Sequence, residues 1–211
     1  GGCGKKEYTG VTFNVATQMA EFYSVISSML NEIPFDKVKQ VILPVGNDFF
    51  NVDTPHLATT RGTVQDNTYD LREMFMSGLK FLTAVIEYVS SICPIKVVLV
   101  PGNHDNVTST YMAVSLEEIF KLNPNVSVDS TPIDRKYLLV GKTLLILTHG
   151  ELKAQRLAEV IPHEAKALFA QADYYECLKG HLHHEKRHQQ EVEQGGIVIR
   201  NLAGMTKTDR W

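Results

Sequence analysis

Four short segments place histidine, asparagine and aspartate side chains directly after apolar runs. Imidazole, carboxylate and amide groups together suit Mn²⁺, Fe or Zn²⁺, and the absence of cysteine from these segments argues against a closed structural zinc site. Five of the eight histidines of the chain fall in three of the four segments. We therefore predict a metal site. The segments are "GNDFFN" (Gly46–Asn51), "PGNHD" (Pro101–Asp105), "LTHG" (Leu147–Gly150) and "KGHLHH" (Lys179–His184).

Each segment also has a simpler interpretation when it is taken alone. Asp48 could be a turn or helix-capping residue, "GNHD" a turn with a surface histidine, and "GHLHH" a surface histidine patch. Histidines 56, 163 and 188 lack a comparable context and are predicted to be ordinary loop or helix-surface residues. The order of the four segments, each at the end of an apolar run, favours one shared site over four coincidences.

The spacing of apolar residues predicts the elements that would position these segments. Helical spacing covers residues 14–33, 71–89 and 111–122, and residues 151–172 look helical with an interruption at Pro162. Strands are predicted at 38–45, 95–100, 136–140, 143–148, 174–180 and 195–204, with a hairpin turn at Gly141. This order predicts a mixed-sheet α/β sandwich. In open α/β sheets, ligand sites lie beyond the carboxyl ends of the strands, so the four segments can converge there.

Length and composition narrow the class of protein. The chain has 211 residues, 44% of them hydrophobic, and a formal charge of −3. One α/β domain over residues 1–211 is expected from the length. The mildly acidic charge predicts no broad nucleic-acid-binding surface, and it leaves open the alternative of a local basic groove. Three cysteines without a CxxC pair predict a reduced, cytoplasmic protein. No apolar run reaches the length of a membrane span, so no membrane partner is expected.

At this point the four segments are recognisable as a set. In order, "GNDFFN", "GNHD", "THG" and "GHLH" resemble the later motifs of the calcineurin-like metallophosphoesterase family, across about Val41 to His184. Among its branches the chain looks most like bacterial and phage members related to DNA-repair exonucleases. It lacks the Asp-Arg-Gly ending that marks Ser/Thr protein phosphatases. The resemblance implies a four-layer αββα sandwich, with two mixed sheets flanked by helices and a two-metal centre on loops at one edge.

The resemblance also implies the metal ligands. By position, Asp48 resembles the carboxylate that bridges two ions. Asn103, His149 and His181 resemble the remaining ligands of one ion, and His183 resembles a ligand of the other. The expected cofactors are two divalent cations, Mn²⁺ first, with Fe and Zn²⁺ as alternatives.

The same comparison implies the catalytic residues. His104 resembles the histidine that stabilises the transition state or protonates the leaving oxygen, and Asp105 follows it. Asn51 stands where relatives carry an aspartate or histidine that orients this imidazole. An amide can accept its hydrogen bond but cannot stabilise an imidazolium electrostatically.

One family motif is absent from these residues. No Asp-x-His segment occurs in the chain, although the family carries one at the end of an opening strand. We therefore expect a single domain that lacks its first strand, with truncation at the C-terminus left open. The second ion would keep only Asp48 and His183, so its site is expected to be incomplete and weakly held.

The function implied is hydrolysis of a phosphoester, as a phosphodiesterase or DNA exonuclease. The alternative, from another class, is a non-catalytic scaffold on the same fold. Arg61, Lys186 and Arg187 could contact a nucleic-acid backbone, although a solvated charge run is an equal alternative. Nucleotides, phosphoproteins and cyclic diesters stay open as substrates.

Overall fold

The computed structural model describes residues 15–65, 67, 69–181 and 191–202, and the side chains of the first helix from Met19 onward. The described helices are α1 (Val15–Glu32), α2 (Leu71–Ser90), α3 (Asn106–Phe120), α4 (Ala154–Glu164) and α5 (Lys166–Phe169). The described strands are β1 (Val41–Gly46), β2 (Ile95–Val100), β3 (Val126–Asp129), β4 (Arg135–Val140), β5 (Thr143–Thr148), β6 (Tyr174–Lys179), β7 (Glu191–Gln194) and β8 (Ile197–Asn201). A short 3₁₀ turn covers Phe35–Lys37.

The described residues up to Pro132 form one compact unit, and those from Ile133 to Leu202 form a second. In the first unit three parallel strands pair in the order β1-β2-β3. The last residue of β1, Gly46, pairs with the last residue of β2, Val100. The segments that follow these two strands therefore leave the sheet side by side, as the carboxyl ends of parallel strands must.

The core of the first unit follows from its apolar patterns. Strand β2 is buried along nearly its whole length, which suits a parallel strand covered on both faces. One face of α2 packs into the same core, and Phe81 meets Phe22 of α1 edge to face at 4.6 Å between ring centroids. Helix α2 begins with a capping box, because Asp70 accepts from the backbone N–H of Glu73 and the Glu73 side chain accepts from that of Asp70.

The second unit contains a mixed sheet in the order β4-β5-β6-β8-β7. Strands β4 and β5 form the predicted hairpin, whose turn uses Gly141 at a φ of 60°. Strand β5 then runs parallel to β6, and Thr148 pairs with Lys179 at their carboxyl ends. The buried side chains of β5 pack against Leu157 and Ile161 of α4. This register again brings two of the predicted segments side by side.

The predicted fold class is confirmed, because the chain is α/β with two sheets flanked by helices. Four details differ. Both sheets were expected to be mixed, but the described strands of the first sheet are all parallel. Helix α3 begins at Asn106, five residues before the predicted start, because its polar first turn hides the apolar period. Pro162 lies inside α4 rather than ending it, and the break comes at Ala165. The short strands β3 and β7 were not predicted. Among the described residues, no helix is both long and apolar enough to cross a membrane.

Candidate metal centre

The loop after β1 holds Asp48 in an unusual backbone conformation. Gly46, Asn47 and Asp48 have consecutive positive φ angles of 93°, 58° and 63°. Each such non-glycine residue costs about 1–3 kcal/mol, and it persists only where surrounding contacts impose it. One of these contacts is the backbone N–H of Asn47, which donates to the carbonyl of Val100 at 2.7 Å. Backbone conformations of this kind concentrate at functional sites, and asparagine and aspartate also adopt them in ordinary turns.

The segment after β2 closes around the same carboxylate. The backbone N–H of His104 donates to Oδ1 of Asp48 at 2.9 Å. Gly102 has no room for a side chain, since a Cβ atom there would overlap Oδ1 and the backbone nitrogen of Asp48. The glycine of "PGNHD" is therefore required by Asp48, which comes 54 residues earlier in the chain.

Asp105 accepts hydrogen bonds from the backbone of this loop. It is fully buried, and its two oxygens accept from the backbone N–H groups of Asp48 at 3.3 Å and Phe50 at 3.0 Å. Burial raises the pKa of this carboxyl group to about 7; the Phe50 amide lowers it and the charge of Asp48 raises it again. These contacts hold the Asp48 loop in place. The catalytic role that the resemblance implies for Asp105 stays a prediction.

Asp53 braces the same loop against α3. Its Oδ1 accepts from the backbone N–H and the hydroxyl of Thr108 at 2.6 and 2.7 Å. Its Oδ2 accepts from the N–H of Val107 at 3.1 Å and the hydroxyl of Thr60 at 2.7 Å. Four donors therefore occupy both oxygens, and the carboxylate caps the first turn of α3 in place of a local residue. Nothing near Asp53 in the sequence indicates this role.

Asn51 makes a contact that the sequence did not indicate. Its Nδ2 donates to Oδ1 of Asn67 at 2.5 Å, and the side chain is buried. Within the described residues, Oδ1 of Asn51 and Nδ2 of Asn67 are buried without a hydrogen-bond partner. Asn67 thus fixes the amide that the resemblance implies would orient His104, while Oδ1 of Asn51 stays available as an acceptor.

The second unit brings two histidines together. His149 follows β5, His181 follows β6, and Nε2 of His149 lies 2.9 Å from Nδ1 of His181. His181 has a φ of 72°, in the left-handed region that histidine enters at a cost. Gly150 has a φ of 108°, and the N–H of Gly180 donates to the carbonyl of His149 at 3.1 Å. Two positive φ angles and one backbone hydrogen bond therefore accompany this pair of imidazoles.

The pair fits a metal ion. With metal–nitrogen bonds of about 2.0–2.1 Å, two imidazoles on one ion have nitrogens roughly 2.9 Å apart at a right angle and roughly 3.3 Å apart at a tetrahedral angle. The observed separation lies at the lower end of this range, and one N–H···N hydrogen bond would also produce it. His149 is buried and His181 half-buried, so the pair is partly shielded from water.

The structure thus groups Asp48, His104 and Asp105 in the first unit and His149 with His181 in the second. No family model, curated protein or solved structure matches this chain. The family resemblance therefore rests on the motifs themselves.

The other predicted residues are placed as follows. Asn103 is half-buried in the segment after β2, between Gly102 and His104. Arg61 is exposed in the loop that the Ala58–Val64 bridge closes. The three remaining predicted residues, His183, Lys186 and Arg187, lie outside the described residues.

Proposed function

We propose that this chain is a metal-dependent phosphoric ester hydrolase of the calcineurin-like type, acting on phosphodiesters. The observation that carries the proposal is the 2.9 Å separation of the His149 and His181 ring nitrogens at the ends of parallel strands. The strained and braced carboxylate of Asp48 supports it, because backbone strain of this kind concentrates at functional sites.

The proposed ligands of one ion are Asp48, Asn103, His149 and His181. Carboxylate, amide and imidazole suit Mn²⁺, Fe or Zn²⁺, and a neutral amide keeps the site more electrophilic than a further carboxylate would. The chemistry supplied by divalent cations in such a site is polarisation of the phosphoryl group and acidification of water. Asp48 with His183 would contribute to a second, weaker position.

The chain's own side chains would do the rest. The proposed role of His104 is to face the phosphate, where it protonates the leaving oxygen or stabilises charge in the transition state. Its backbone N–H already holds Oδ1 of Asp48, so one residue would serve both the carboxylate and the substrate. Asn51, held by Asn67, would accept a hydrogen bond from the His104 ring and set its tautomer.

Hydrolysis of bis(4-nitrophenyl) phosphate tests this proposal. We expect turnover with Mn²⁺ that stops on addition of chelator. His104→Ala should lower kcat by about 10²–10⁴-fold with little change in Mn²⁺ affinity. His163→Ala is the matched control, since His163 is exposed in α4 and has no proposed role. Absence of Mn²⁺-dependent turnover would favour the non-catalytic scaffold instead.

DNA is the substrate class we propose first. This choice is tested by comparing the rates at which the chain hydrolyses single-stranded DNA, duplex DNA and phosphomonoesters.

A further inference from the structure

A groove of about 550 Å³ lies in the first unit and is lined by none of the side chains assigned to the metal centre. Its walls are the first turns of α2 and α3 and the loop that begins at Asp53. Its apolar lining comes from Leu71, Phe75, Val107 and Tyr111. This volume is typical of pockets that hold small organic ligands.

The groove presents an aromatic ring to solvent. Tyr111 is 64% exposed and Val107 is 47% exposed, and the two residues are four apart on one face of α3. Phe75 lines the same groove from α2 and is half-buried. The groove therefore suits a flat, apolar ring system, because two aromatic rings and an aliphatic side chain line it. Such a ring system could stack on the exposed tyrosine.

One cation, Arg72, lines the groove beside two carboxylates whose charges are already engaged. Asp53 already accepts four hydrogen bonds, and Asp70 accepts from the N–H of Glu73 at 2.7 Å. Both carboxylates therefore offset the partial positive charge of a helix N-terminus. Arg72 is exposed in the first turn of α2 and lines the groove. Its guanidinium is suited to a phosphate.

We infer that this groove is a subsite for a nucleobase, which stacks on Tyr111 while Arg72 contacts a phosphate of the same ligand. The inference rests on the proposed function in one respect, that the base belongs to the phosphodiester substrate. His104 precedes Val107 by three residues, a span of at most about 11 Å, so the subsite adjoins the segment that would face the reacting phosphate.

Fluorescence of a 2-aminopurine nucleotide, titrated with the chain in excess chelator, tests the subsite without metal or turnover. We expect saturable quenching, because stacking on an aromatic ring quenches this base. Tyr111→Ala should weaken binding by about 5- to 150-fold, since stacking contributes about 1–3 kcal/mol per base and 1.4 kcal/mol is a factor of ten. Tyr111→Phe should retain binding. Tyr88→Ala is the control, because Tyr88 is 54% exposed on α2 outside the groove.

A second comparison tests the role of Arg72. Arg72→Gln should weaken binding of the nucleotide several-fold and leave binding of the corresponding nucleoside unchanged. Quenching that survives Tyr111→Ala, or no quenching at all, would overturn the subsite even if the chain hydrolyses bis(4-nitrophenyl) phosphate. Quenching that depends on Tyr111 in a chain without Mn²⁺-dependent turnover would uphold the subsite and overturn the proposed hydrolase.

Discussion

The Nε2 atom of His149 lies 2.9 Å from the Nδ1 atom of His181, although the two residues follow different strands. The parallel register of β5 and β6, which pairs Thr148 with Lys179, places the two histidines at neighbouring strand ends. The left-handed conformation of His181 then accompanies the approach of the two rings. The distance is thus a product of sheet register and local backbone geometry together.

Gly150→Ala should disturb this pair without removing either imidazole. A Cβ at Gly150 would lie 2.9 Å from the carbonyl oxygen of Gly180, and the φ of 108° disfavours any side chain. We expect unfolding free energy to fall by about 1–3 kcal/mol. Mn²⁺ affinity, measured by calorimetry, should fall at least about tenfold, because small displacements of ligands are costly.

Gly141→Ala is the control for that experiment. Gly141 lies in the same unit at a φ of 60°, and a Cβ there would meet nothing within 4 Å. It should therefore cost less stability than Gly150→Ala, through its φ angle alone, and leave Mn²⁺ affinity unchanged. Equal Mn²⁺ affinities in the two variants would show that metal binding does not depend on the geometry of the histidine pair.

Gly102→Ala should displace Asp48. The added Cβ would overlap the Asp48 carboxylate and lie 2.6 Å from Oδ1 of Asp105. We expect a loss of about 1–3 kcal/mol in a urea titration, typical of overpacking, and a loss of Mn²⁺-dependent turnover. A variant with native stability and turnover would show that the two segments after β1 and β2 are not locked together as described.

Asp53→Asn tests the carboxylate that caps α3. The amide replaces one acceptor atom by a donor, so two of the four hydrogen bonds to Asp53 are lost. Leaving buried donors unsatisfied costs about 1–3 kcal/mol, to be measured by urea denaturation. The control, Asp36→Asn, changes an exposed carboxylate in the 3₁₀ turn and should stay within about 0.5 kcal/mol. A change that small at Asp53 would contradict its capping role.

Much of this arrangement was predictable, and the reasons for the rest are physical. The strand-end placement of Asp48 and His149 follows from apolar runs that stop at polar segments, because burial alone fixes such strands. The capping of α3 by Asp53 could not be predicted, since the donor and the acceptor lie 55 residues apart and meet only in the folded chain. The Asn51–Asn67 contact, across 16 residues of loop, has no local signal either.

Helix boundaries show the same limit. The start of α2 was predicted at residue 71, where the structure begins it after a local capping box. The start of α3 was predicted five residues late, because its polar first turn hides the apolar period and its cap is supplied from a distant loop. Local propensity therefore located the helix start that a local cap determines, and misplaced the helix start that a tertiary contact determines.

Glu164→Gln should change the pH dependence of unfolding. Hydrogen bonds from Arg135, at 2.7 Å, and from Tyr137, at 2.6 Å, lower the pKa of Glu164, and partial burial opposes them. Because the folded pKa lies below the unfolded value, the carboxylate stabilises the protein above the unfolded pKa, and this contribution is lost as pH falls. The side chain is 38% exposed, so solvent limits the effect to about 1 kcal/mol or less.

The measurement is urea denaturation of Glu164→Gln and the parent chain at pH 7 and at about pH 3, below the unfolded pKa of a glutamate. The variant should be less stable at pH 7, and the difference should shrink at the lower pH. Glu159→Gln, which breaks the exposed pair with Arg156, is the control and should change stability at pH 7 by no more than about 0.5 kcal/mol. A difference that grows in acid would contradict a folded pKa below the unfolded value.

Calorimetric titration with Mn²⁺ tests the central claim most directly, because it asks whether Asp48 and His181 bind one ion. The parent chain should bind one Mn²⁺ firmly, with any second ion much weaker. Asp48→Asn and His181→Ala should each weaken that same binding event by at least about tenfold, and the double variant should lose little more, since ligands of one ion act as a unit. His163→Ala should bind as the parent chain does. Firm Mn²⁺ binding that survives Asp48→Asn or His181→Ala would contradict the proposed metal centre.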